Sequence, residues 1–249
     1  MPASHQPRRE QLYEAFILHH RPYRDTSRIL EVLTRDFGRM TLFARGARGA
    51  KSRLASILMP FQPLLVSWSG RGEAGQLTRA ELGPAATEAA LTRLPPAALM
   101  PAYYLNELLL RLTTRHDPLP VVFELYRAAL QDLHDESQLL RALRLFEKRL
   151  LETLGYGVEL DHDAAGAPLR AALCYRYDAS NGFVVVDRSL DPQAIDGAVI
   201  AALAAEDLSN SGTLEAARLI LRAALAPLLD GRELATRSVA RAVARGSRG

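Results

Sequence analysis

The spacing of apolar positions changes partway along the chain. Up to about residue 83 they come in short runs: "YEAFILHH" (13–20), "RILEVLTRD" (28–36), "RMTLFA" (39–44), "FQPLLVSWS" (61–69) and "GQLTRAEL" (75–82). These runs are rich in Leu, Ile, Val, Phe and Thr. The turn-forming stretches "RPYRDTS", "FG", "RGARGAKS" and "SGRGEAG" separate them, so each run reads as a strand. Leu64, Val66 and Trp68 alternate, which places them on one strand face. Five short strands in about 80 residues predict a small barrel or sandwich. Between the third and fourth, "SRLASILM" predicts two helical turns ended by Pro60.

From Pro95 the period becomes helical. "PPAALMPAYYLNELLLRLTTR", "VVFELYRAALQDLH" and "ESQLLRALRLFEKRLLETLGYG" place apolar residues three and four apart, with prolines where a helix start tolerates them. "ALCYRYDASNGFVVVD" interrupts this with two strand-like runs around "ASNG", a hairpin signal. "DPQAIDGAVIAALAAE", "GTLEAARLILRAALAPLL" and "RELATRSVARAVAR" return to helical spacing. The expectation is an α+β chain of two domains. A loose tail over 1–11 precedes a five-stranded domain over 12–83. A mostly helical domain over 84–249 follows, with a β-hairpin near 172–187 and a basic C-terminal tail.

The 249 residues, 48% hydrophobic and 24% charged, suit a globular chain. No apolar run approaches the ~20 residues of a membrane span, and "MPASHQPRREQ" lacks the apolar core of a secretory signal. Cys174 is the only cysteine, which excludes an internal disulfide and any multi-cysteine zinc site and suits a reducing cytoplasm. The net charge of +3 is unevenly spread: residues 1–83 hold 13 Lys+Arg against 7 Asp+Glu, residues 84–231 hold 13 against 20, and the last 18 hold 5 against 1. A basic front and a basic tail point to a polyanion, against the plainer reading of an uneven solvated surface.

The stretch "FARGARGAKSRL" (43–54) concentrates this charge: Arg45, Arg48, Lys51 and Arg53 stand among small residues with no acid. Lys51-Ser52 match the end of a P-loop, but Ala50 and Arg45 occupy both glycine positions, and Pro60 leaves room for only a short helix. "GRGEAG" (70–75) matches G-x-G-x-x-G, yet no strand–helix–strand alternation follows, so a glycine-rich hairpin reads better. "DHD" (161–163) has no second cluster with metal-ligand spacing. No G-x-S-x-G elbow anchors a hydrolase. Glu107 in "YLNELL" reads as a general acid or, more simply, as a structural partner for an arginine.

A cationic loop between strands of an OB-type barrel suits a phosphate backbone. Arg24 and Arg71 extend that surface, and Tyr23, Phe43 and Trp68 are candidates to stack bases or to fill the core. In the helical part, Arg141, Arg144, Lys148 and Arg149 accompany the apolar row containing Phe146 and Leu150. This is either one amphipathic helix on its core or an apolar groove rimmed by charge for an acidic peptide. Arg237, Arg241 and Arg245 recur every four residues in the tail, a stripe that meets either DNA or water.

"RPYRDTSRILEVLTRDFGRMTLFARGARGAKSRL", "LMPFQPLLVSWSGRGEAGQLTRAEL", "YYLNELLLRL", "RLFEKRLLETLGYG", "YRYDASNGF" and "LATR" follow one another as in the bacterial RecO recombination mediators, which the chain resembles over about residues 12–240. The resemblance implies an N-terminal five-stranded OB-fold barrel, a helical C-terminal domain and a cytoplasmic, nucleoid-associated DNA-repair role without nucleotide hydrolysis. It implies binding of single- and double-stranded DNA and annealing of strands coated by the single-strand-binding protein, SSB. With RecR, such proteins help load RecA on gaps. The family's basic loop corresponds to Arg45, Arg48, Lys51 and Arg53, and its "RPY-x-x-TS" element to Arg21–Ser27. Recognition of the acidic SSB C-terminal tail directs attention to Arg141, Arg144 and Phe146, with Lys148, Arg149 and Leu150 beside them. Many relatives carry a four-cysteine zinc module after the "LGY" helix. "GYGVELDHDAAGAP" has none, so no metal or other cofactor is expected, and the hairpin should be held by packing. The competing classes are a metal- or nucleotide-dependent nucleic-acid enzyme and an RNA-binding OB module.

Overall fold

The computed structural model of the chain describes residues 11–49, 52–70, 72–83, 93–229, 232–236 and 238–239. Two compact units are formed, one drawn from the chain up to Glu136 and again from Leu234, the other from Ser137–Glu233. The first opens on strands β1 (Tyr13–Tyr23), β2 (Ser27–Thr34), β3 (Gly38–Ala44), β4 (Leu64–Ser69) and β5 (Ala74–Leu82), with a short helix α1 (Arg53–Ile57) between β3 and β4. They close into a barrel in the order β1-β2-β3-β5-β4, the OB-type arrangement expected. Only β3 and β5 run parallel.

Alternation fills the barrel: Ile17, Leu30, Val32, Leu42, Leu64 and Val66 point inward and are essentially buried. β1 breaks the alternation, since Ala15, Phe16, Ile17 and Leu18 are all inaccessible. Such a run marks a strand covered on both faces. Its second cover comes from α2 (Pro96–Leu112) and α3 (Pro120–Asp132). Phe16 packs against Phe123 at 5.3 Å and Tyr126 at 5.1 Å between ring centroids. The β1–β2 register shifts between Ile17 and His19. At this bulge the Leu18 carbonyl accepts a hydrogen bond from Asn106 Nδ2 (2.7 Å), while Asn106 Oδ1 accepts one from the Tyr126 hydroxyl (2.5 Å). Burial drives that phenol's pKa above its usual range. The two helices after the barrel therefore share its unit, although the change of period in the sequence precedes them.

The glycines of "GRGEAG" serve the turn and the core. β4 and β5 form an antiparallel hairpin, and Gly70 and Gly72 in its turn have φ of 111° and 128°. A Cβ on Gly75 would lie 2.7 Å from Trp68 Cδ1 and 2.9 Å from Leu42 Cδ2. The crossover of a dinucleotide site is replaced here by a turn.

The second unit comprises α4 (Leu139–Thr153), β6 (Cys174–Asp178), β7 (Gly182–Val186), β8 (Ile195–Asp196), α5 (Gly197–Ala204) and α6 (Ser211–Leu228). The expected hairpin is present, but the sheet has three strands in the order β7-β6-β8. The two-residue β8 lies inside a stretch read as helical, because so short a strand shows no period. Tyr175 of β6 and Phe183 of β7 are fully buried, and the Tyr175 hydroxyl accepts from Arg170 N (2.9 Å). No helix among the described residues is long and apolar enough to cross a membrane.

Candidate nucleic-acid interface

The loop after β3 is held on the barrel by small and backbone groups, which leaves its cations outside. Ala44 and Ala47 are fully buried, whereas Arg45 and Arg48 are exposed. Arg48 N donates to Thr26 O and Arg48 Nη1 to Arg24 O, both at 3.0 Å. The loop is thereby docked on the β1–β2 turn, where Arg24 adopts a left-handed φ of 50°. Ser52 N donates to Gly49 O (2.8 Å), and the exposed Arg53 begins α1. Beyond α1, the fully buried Leu58 accepts from Arg28 Nη1 at 3.2 Å, which ties this segment to β2. Lys51 and Arg71 lie outside the described residues.

Arg24, Arg45, Arg48 and Arg53 thus sit on connected segments around one end of the barrel. None forms an ion pair among the described residues, with Asp25 the exposed acid of the same turn. Elsewhere in this unit Arg35, Arg39, Arg79, Arg115 and Arg127 are all paired with carboxylates. Gathering unpaired cations costs electrostatic energy that a bound polyanion offsets. Near this end, burial first, then the charges of Arg28 and His19, hold the His20 imidazole pKa below its ordinary value. This favours its neutral form, and the guanidinium groups supply the positive charge.

Of the three candidate stacking aromatics, Trp68 is a core residue, 3% exposed and edge-on to Phe37 at 5.1 Å. Tyr23 and Phe43 are half-exposed and lie 5.3 Å apart. Tyr23 closes β1 instead of lying in a loop, because the strand runs three residues beyond the apolar stretch 13–20. The Arg24 guanidinium stands over its ring at 5.2 Å. Arg21 is a further exposed cation, two residues before Tyr23 and so on the same strand face. The i, i+2 spacing in "RPY" would have revealed it had the strand been extended that far.

The residues singled out on α4 are placed differently. Phe146 and Leu150 are core, 2% and 0% exposed. Arg144 is itself buried and pairs at 3.0 Å with Glu147, which is wholly inaccessible. Lys148 bridges Glu152 (2.8 Å) and Glu206 (3.3 Å), and Arg149 pairs with Glu206. Burial opposes the charged form of Lys148, but these carboxylates outweigh it and raise its pKa. Arg141 is half-buried and forms no ion pair among the described residues.

Two of the acids weighed for catalysis, Asp163 and Glu107, have structural partners. Asp163 Oδ1 accepts from Ala165 N and Ala167 N, both at 2.9 Å. Glu107 accepts from Ala235 N (2.8 Å) and from Thr236 N (3.0 Å) and Oγ1 (2.8 Å). Burial pushes the Glu107 pKa up. The hydrogen bonds from Thr236 and Ala235, with the charge of Arg111, outweigh that and hold it below the usual range. The "LATR" segment is thus anchored to α2 at Ala235 and Thr236; Arg237 and the arginines beyond it lie outside the described residues.

Residues 9–84 match the family model for the recombination protein O N terminal and residues 95–237 that for the recombination protein O C terminal. The chain is 40% identical over 236 residues to the DNA repair protein RecO of Methylococcus capsulatus, covering 94% of this chain and 95% of that protein. It is 41% identical to the RecO of Alkalilimnicola ehrlichii over 93% of this chain and 91% of the relative. The RecO of Dechloromonas aromatica is 41% identical as well, over 90% and 93%. These names carry a role in DNA repair. A five-stranded barrel with an arginine-bearing end, followed by helices and a small sheet and matched along almost its whole length, makes this chain a member of the RecO family of DNA repair proteins.

Proposed function

We propose that the protein is a non-enzymatic recombination mediator that holds DNA by charge. The observation that carries this reading is the docking of the basic loop on the β1–β2 turn, which gathers Arg24, Arg45, Arg48 and Arg53 without carboxylate partners. Guanidinium forks grip phosphates, and the counterions released supply much of the affinity. Phosphates are common to single strands and duplexes, so both are ligands. Lys51 and Arg71 are proposed to extend the surface. Two complementary strands repel each other through their backbones, and cations on several segments lower that barrier. Annealing of SSB-coated strands then needs no ATP. With RecR, the same activity would assist RecA loading on gapped DNA in the cytoplasm.

SSB contact is proposed at α4 through the outer part of the helix, at Arg141. Phe146 and Leu150 support it from the core, and Arg144, Lys148 and Arg149 reach a peptide only by leaving their carboxylates. Mixing purified protein with complementary oligonucleotides already covered by SSB, without ATP, tests the whole reading. Faster duplex formation is expected. A rate equal to that of the SSB-covered strands alone, or a requirement for nucleotide hydrolysis, contradicts it.

A further inference from the structure

The outer surface of the barrel beside the basic loop carries a feature that charge alone does not explain. Leu42 and Ala44 point into the barrel core, so Phe43 between them points outward. Register places Arg21 opposite Ile29, Ile29 opposite Phe43, and Phe43 beside Gln76. Paired residues share a sheet face, so these four make one row across three strand junctions, with Tyr23 packed on Phe43 at its edge. The row is ordered. Gln76 Nε2 donates to the Phe43 carbonyl (2.8 Å) and fixes β5 against β3. Ile29 is 9% exposed and floors the pair. The aromatic pair is bordered by Arg21 on its own strand and by Arg24, which covers the Tyr23 ring. It is an apolar aromatic surface framed by cations and left half-open.

From this we infer that Tyr23 and Phe43 form a stacking platform for unpaired bases, so that the barrel distinguishes a single strand from a duplex. The inference rests on the proposed DNA-binding surface and adds to it a preference between the two ligands. In a duplex the base faces are stacked on one another and only phosphates reach the arginines. In a single strand a base can lie on Phe43, or take the place of Arg24 over Tyr23, while adjacent phosphates meet Arg21, Arg24 and Arg45. Charge complementarity selects a polynucleotide as the occupant, and the exposed rings select one with free base faces.

The platform is tested by replacing Tyr23 and Phe43 together with Leu, which keeps an apolar surface and removes the rings. A second pair, Tyr23→Trp with Phe43→Trp, restores aromatic faces. Binding of a labelled oligothymidylate and of a duplex of equal length is measured over a range of salt for all three proteins. The Leu pair is expected to bind the single strand roughly tenfold or more weakly, a loss well beyond any change for the duplex, with both salt slopes kept because every cation is retained. The Trp pair should recover the single-strand affinity. Unchanged single-strand affinity in the Leu pair overturns the platform, and so does an equal loss for both ligands. If the unaltered protein binds neither ligand at low salt, the charge-based reading itself fails, an outcome distinct from failure of the platform alone.

Discussion

Arg48 combines two tasks in one side chain. Its backbone N–H and one guanidinium N–H fasten the basic loop to the β1–β2 turn, and its remaining donors are free to meet phosphate. Arg48→Gln is therefore expected to weaken binding to all DNA sequences alike and to reduce the salt slope by about one unit. Arg48→Lys keeps the charge without the planar fork, so its slope should stay while affinity falls. Glu107 makes a different local prediction. Its folded pKa is depressed, so its contribution is present above the ordinary carboxyl range and is lost as pH falls through the folded value. Amide protection at Ala235 and Thr236 should drop in acid. Glu107→Gln should show that loss already at pH 7, and equal protection in both proteins at pH 7 would rule out the anchor. At the buried Arg144–Glu147 pair, removal of either partner leaves a buried charge uncompensated, at a cost of about 3–5 kcal/mol. Glu147→Gln should lower the denaturation midpoint accordingly. SSB-tail binding is better probed by Arg141→Glu, which spares the buried pair and should weaken the tail's affinity without altering that midpoint.

Among the elements, the β4–β5 hairpin shows how packing decides what a motif means. Gly75→Ala would drive a methyl into Trp68 and Leu42, so a loss of roughly 1–3 kcal/mol is expected in urea unfolding, with the slope of the transition unchanged. A glycine kept for phosphate contact would instead tolerate the methyl in the absence of ligand. The strands were readable because their apolar runs end in turn residues, and the helices because their period holds over three or more turns. What escaped has local causes. β1 extends to Tyr23 because pairing with β2 continues through polar residues that carry no apolar signal. β8 is too short to show a period. The basic loop was visible as composition. Its docking on Arg24 was not, because hydrogen bonds to main-chain carbonyls some twenty positions earlier leave no trace in sequence. Phe146 and Arg144 carried the opposite difficulty: an amphipathic helix on its own core and a charge-rimmed groove share one pattern, and only burial separates them.

For the molecule as a whole, phosphate charge is the proposed source of affinity and two aromatic rings the proposed source of strand preference. These contributions have different signatures, since counterion release scales with salt and stacking does not. The charge term is the one on which the proposed annealing depends, because both strands would have to be held despite their mutual repulsion. The most direct measurement is the salt dependence of DNA binding for the unaltered protein and for a variant with Arg45, Arg48, Lys51 and Arg53 all changed to Glu. With ~4 phosphate contacts removed, the slope of log affinity against log salt should shrink by roughly 3 to 4 units, and affinity should fall for single strands and duplexes alike. A variant that retains the original slope would show that DNA is held elsewhere on the molecule.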